Sequence, residues 1–232
     1  MCGRYTLTSQ DDIAAALELQ LGEPAEPSEW WRPRFNIAPT QPAPVVPNRE
    51  GPRHLEMMRW GLVPPWSKDL SGAARMINAR VETAATSKAF KDALRRRRCL
   101  VVADGFFEWR KDGARRIPIY LRPGARDQRP FAFAGVWERW RGPDGLWVLS
   151  FAILTCAPNE LIAPIHDRMP IVLPRDAYAR WLSPEPAEPE ELAPLLHPWS
   201  PDGWRAIEVS PRVNTPANDD PACVEPAQQN RV

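Results

Sequence analysis

Twenty-eight prolines run through this chain of 232 residues, and they narrow its fold more than any other feature. Each ring locks φ near −65° and removes a backbone donor, so it breaks a helix interior and is unwelcome inside a sheet. The prolines come in pairs such as Pro64-Pro65 and in spaced sets such as Pro184, Pro186 and Pro189, not as one tract. That distribution predicts many short elements joined by rigid turns, with few long helices.

The local patterns agree. Ser9 and Asp12 resemble a capping box for a helix over about 10–21, with Ile13, Ala16, Leu17 and Leu21 on one face and Gly22 as its stop. Residues 23–34 read as irregular, and 35–40 lead into a short Val45-Val46 strand bounded by Pro44 and Pro47. A strand over 54–60 ends at Gly61 and the Pro64-Pro65-Trp66 turn. Residues 76–83 alternate as extended chain before a helix over about 84–95. The apolar run 99–103 predicts a strand buried on both faces, followed by strands near 117–121, 131–137 and 147–155. Arg141-Gly-Pro-Asp-Gly145 makes the last two a hairpin. A strand at 171–173, helices near 175–182 and 188–196, and a strand at 204–209 complete the series. Such interleaving predicts one α+β domain with a mostly antiparallel sheet.

The length suits one large domain or two small ones. A net charge of +1 does not announce a nucleic-acid binder, so phosphate binding would need a local arginine cluster. Cys2, Cys99, Cys156 and Cys223 lie far apart, with no C-x-x-C spacing, which argues against zinc or a disulfide framework. No metal and no cofactor are expected. Residues 1–30 hold no apolar signal-like region, and no run has the length of a membrane span, so a cytoplasmic protein without membrane contact is the expectation.

Several positions can carry chemistry. If Met1 is removed, Cys2 offers an amine and a thiol on adjacent carbons, a 1,2-aminothiol. An aldehyde could form an imine with that amine, and the thiol could then close a thiazolidine ring. At pH 7 roughly 15–20% of an α-amine is neutral, against under ~0.1% of a lysine. The thiol is expected to be a few per cent thiolate, and more beside a cation such as Arg4. Glu108 leaves the buried run among Phe106, Phe107 and Trp109. If it faces inward, desolvation raises its pKa and suits it to acid–base work; if it alternates outward, it meets water. His166, in Pro-Ile-His-Asp-Arg, is either a proton shuttle or a surface side chain. Asn78 and Arg80 share one face of their strand, as substrate-holding groups or as an ordinary polar edge. Arg95–Arg98 reads as a solvated helix end or as a DNA patch.

Six stretches then occur in order: Met1–Tyr5, Phe35–Pro39, Trp60–Pro64, Asn78–Thr83, Ala103–Trp109 and Ile165–Pro170. This series closely resembles the SOS response-associated peptidase (SRAP) family, the abasic site processing proteins. The resemblance covers nearly the whole chain. It implies a single domain over 1–232, core at about 2–226, with a mostly antiparallel β-barrel-like core flanked by short helices. It implies a monomeric partner of single-stranded DNA containing abasic sites, crosslinked through Cys2; the replication or repair proteins it meets are not legible. By the same resemblance Cys2 is the nucleophile, Asn78 orients the aldehyde, Glu108 is the acid/base and His166 the second catalytic side chain. Arg4, Arg80 and Arg168 match phosphate-holding positions, and Pro39, Trp66 and Trp109 match positions packed on bases and sugar. Lys88 stands where the family would carry arginine, keeping the charge but losing the bidentate fork.

The family name implies self-removal of Met1, with Glu108 as base and Cys2 as nucleophile. A methionine aminopeptidase could serve equally. Two other classes fit parts of the pattern: an N-terminal-nucleophile amidohydrolase acting through Cys2, and a non-covalent single-strand-binding module of Arg and Trp.

Overall fold

The computed structural model describes residues 2–8, 13, 17, 32–124 and 130–227. Its strands are β1 (Arg4–Leu7), β2 (Arg34–Ile37), β3 (Pro42–Pro47), β4 (Glu56–Trp60), β5 (Asn78–Arg80), β6 (Arg98–Ala103) and β7 (Gly105–Asp112). They continue as β8 (Arg115–Pro123), β9 (Phe131–Arg141), β10 (Trp147–Cys156), β11 (Met169–Pro170), β12 (Val172–Leu173) and β13 (Trp204–Glu208). Strands β10, β4, β3, β6 and β9 pair in that order, and β9 pairs back to β10, closing a five-stranded barrel. All its pairings are antiparallel except β4 with β10. A second sheet, ordered β13-β8-β7-β1-β2, is antiparallel throughout. This is the expected α+β class with a barrel core and short helices.

Proline shapes even the barrel. Gln41 O accepts from Trp60 N–H, so odd positions of this segment face β4 and Pro42 and Pro44 present their missing donors to the other side. There β6 pairs only from Val45 onward, so no ladder bond is lost.

The inner face of the second sheet packs on the barrel. Tyr5 of β1 meets Trp60 at a centroid distance of 5.1 Å, and Phe106 of β7 meets Phe133 at 5.8 Å. On the outer face Phe107 and Tyr120 form a smaller cluster with Val209, Val213 and Cys223. Strand β7 is therefore covered on both faces where it starts, and Glu108 follows Phe106 on the inward face. Gly105 permits this: a Cβ there would lie 2.3 Å from the Tyr120 hydroxyl, which meets Thr6 Oγ1 at 2.9 Å.

Three sequence expectations need correction or restriction. Of the helix over 10–21, only Ile13 and Leu17 are described; both are helical and buried, and its caps lie outside the described residues. The extended run ends at Arg80 rather than Thr83: Val81–Ala84 is a helical turn, and Lys91–Arg96 a separate short helix. The chain leaves β10 at Arg80, whose partner is Thr155, and Glu82 then turns to an arginine described below. Finally, Arg98 is neither a solvated helix end nor a DNA contact. It is fully buried, and its guanidinium donates to the carbonyls of Leu94, Arg95, Trp181, Ser183 and Glu185. Five main-chain carbonyls take the place of water around the buried charge.

Candidate functional site

The register of β1 on β7, Arg4 opposite Phe107, carries Gly3 and Cys2 toward Glu108 and Trp109. Cys2 is wholly buried, and Glu108 is 1% exposed. Burial pushes the Glu108 carboxyl up to about 7, so it exchanges its proton near neutrality. Of the two orientations open from sequence, the inward one holds.

The Cys2 thiol departs from expectation. Burial and then the Glu108 charge push it well above the ordinary thiol range, and Sγ lies 3.9 Å from the Arg4 carbonyl. The Arg4 guanidinium is engaged elsewhere, with Nη1 donating to Gly3 O at 2.8 Å. The resting form is therefore the thiol, and a base must take its proton before it can act.

Asn78 reaches this pair from β5, which lies alongside the barrel. Strand β5 runs parallel to β10, with Asn78 beside Ile153, and its Nδ2 donates to Cys2 O at 2.9 Å. Arg80, two residues on, is exposed next to Thr155. His166 lies in the loop after β10, half-buried, with its pKa lowered chiefly by burial. The following Asp167 adds a small electrostatic push that raises the Glu108 carboxyl further. Arg168 is held firmly: both arms of its fork bind Glu82, at 2.7 and 2.8 Å, and Nη2 also donates to Thr155 O at 2.6 Å.

The remaining candidates are half-buried or exposed. Trp109 is half-buried and donates through Nε1 to Asn214 Oδ1 at 2.8 Å. Trp66 is 50% exposed, with Lys88 Nζ 5.0 Å from its ring centroid. Trp66 and Lys88 pair with each other rather than with the Cys2 cluster. Pro39 is half-buried in the turn between β2 and β3. All four cysteines are unbridged, and among the described residues no helix could cross a membrane and no cluster of His, Cys, Asp and Glu could hold a metal.

The model of the SOS response associated peptidase (SRAP) family matches residues 1–216. The chain belongs to the SRAP family. Abasic site processing protein YoqW of Bacillus subtilis is 38% identical over 227 residues, 97% of this chain and 99% of that one. SRAP relatives extend to abasic site processing protein YedK of Escherichia coli, 33% identical over 80% of this chain and 81% of that one. Abasic site processing protein HMCES of Mus musculus is 29% identical over 98% of this chain and 76% of its own. A crystal structure of a Bacteroides thetaiotaomicron protein superposes with TM-score 0.84 at 25% identity, covering 97% of this chain and 100% of that one.

Within this SRAP site, sequence reading overlooked Glu82 and Thr155. Glu82 sits inside the Asn78–Thr83 stretch, and its acidic charge beside Arg80 was the available signal. Thr155 acts through its main-chain carbonyl, which no side-chain pattern can reveal.

Proposed function

We propose that this protein captures abasic sites in single-stranded DNA by a covalent bond through Cys2, once Met1 has been removed. The observation that carries the reading is the convergence of a fully buried Cys2, an Asn78 amide on its carbonyl and a Glu108 carboxyl titrating at about 7. The relatives' shared name, abasic site processing protein, supports the same substrate.

The chemistry runs on these groups. An abasic deoxyribose is mostly a closed hemiacetal, and protonated Glu108 gives the ring oxygen a proton while the C1′ hydroxyl releases its own to solvent and C1′ opens to the aldehyde. The Cys2 amine adds to C1′, and loss of one water leaves an imine. Glu108, now a carboxylate, takes the thiol proton; Sγ bonds C1′ while the imine nitrogen takes a proton from solvent. The products are a thiazolidine and water. A raised thiol pKa fits this order, since the amine acts first and sulfur is released only when its base is beside it. Ring closure also removes the imine that would otherwise promote β-elimination of the strand.

Self-removal of Met1, with Glu108 as base, belongs to the same reading. Arg4, Arg80, Trp66, Lys88, Trp109 and Pro39 would carry backbone and stacking contacts, which are tolerant of sequence. The test is a denaturing gel after incubation with single-stranded DNA bearing one abasic site, with Met1 removal verified by mass spectrometry. A retarded band is expected for wild type and absent for Cys2→Ala. A processed wild-type protein that gives no such band overturns the reading.

A further inference from the structure

We propose that Glu82 is a positioning residue that holds His166 through Arg168; this rests on the abasic-site reading above. The observations form a chain. Glu82 takes both arms of the Arg168 fork, and the Arg168 side chain is only 14% exposed, against 50% for Glu82. The same guanidinium donates to Thr155 O on β10. With its side chain fixed at two points, Arg168 presents its own main-chain N–H to His166 Nδ1 at 3.0 Å.

That bond sets the imidazole. A nitrogen that accepts an N–H carries no proton, so the neutral ring bears its proton on Nε2. Two influences favour a proton on the ring: Asp167, whose exposed carboxylate lies 2.8 Å from the same Nδ1, and the main-chain hydrogen bonding at Arg168. Arg116 acts from β8 in the other direction, favouring the neutral ring. The turn is otherwise anchored by His166 N–H to Ile162 O at 2.9 Å and by β11 pairing with β10 through Met169 and Pro170. Glu82 thus decides between a fixed Nε2–H tautomer and a ring shared with Asp167. It also means that Arg168 enters the site with its fork already engaged.

Two readouts test this in the full chain. In wild type, ¹⁵N chemical shifts of neutral His166 are expected to report the Nε2–H tautomer alone; Glu82→Ala should mix the tautomers and Glu82→Asp restore the single one. This readout needs no DNA, so it stands even if the proposed chemistry fails. The second readout is crosslinking at saturating abasic DNA, where Glu82→Ala should lower the rate about tenfold, a fraction of what positioned proton transfer contributes. Its pH profile should change shape and Glu82→Asp should recover it. Unchanged His166 shifts in folded Glu82→Ala overturn the proposal. So does a loss confined to DNA affinity with the saturated rate intact, which would make Glu82 a partner of phosphate binding instead.

Discussion

Asn78 Nδ2 donates to the main-chain oxygen of Cys2 at 2.9 Å, tying β5, which pairs with barrel strand β10, to the segment ahead of β1. The bond orients the end of the chain before any substrate arrives. Replacing Asn78 with Ala should cost roughly 0.5–1.5 kcal/mol of positioning, a two- to tenfold slower crosslink. Single-turnover gels at saturating DNA would measure it, and a wild-type rate would dismiss the role.

Glu108 predicts the pH behaviour. Its folded pKa of about 7 lies above the ordinary 4.5, so the native state binds the proton more tightly than the unfolded chain. Stability should therefore fall as pH rises through the window from about 4.5 to about 7, by roughly 3 kcal/mol in all. Glu108→Gln should flatten that slope, leaving the variant more stable than wild type at pH 8 while crosslinking is lost. Denaturant melts across pH would decide this; parallel slopes in both proteins would refute it.

Trp66 presents a half-exposed ring with Lys88 over it. Trp66→Ala should weaken single-stranded DNA binding by about 1–3 kcal/mol, without sequence preference. The crosslinking rate at saturation should stay near wild type. Fluorescence anisotropy with intact and abasic oligonucleotides separates the two effects.

Arg98 should matter to stability alone. Arg98→Lys keeps the charge but cannot reach five carbonyls, and a loss of roughly 2–4 kcal/mol is expected. Calorimetry should record a melting temperature lower by on the order of 10 °C. DNA affinity at low temperature should not change. A fall in affinity without a fall in stability would restore this arginine to the DNA surface.

Much of the fold was legible because it depends on short-range rules. Cys99–Ala103 is apolar at every position and became β6, covered on both faces; the turn at 141–145 joined β9 to β10. The helix over 84–95 instead begins early, at Val81, where Glu82 meets Arg168 across 86 residues, and is split into Val81–Ala84 and Lys91–Arg96. Proline likewise predicted short elements correctly, yet only the offset between the β4 and β6 pairings explains why Pro42 and Pro44 sit inside a barrel strand.

By itself the sequence determined the residue types of the site and their order: a cysteine at position 2, Asn78, Glu108 and a His-Asp-Arg turn. Only tertiary structure decided their states. Burial between two sheets turned Glu108 inward and raised its pKa, and the same burial kept Cys2 a thiol where its neighbour Arg4 had suggested a larger thiolate share. Protonation depends on dielectric and on neighbouring charge, and both are properties of distance in the folded chain.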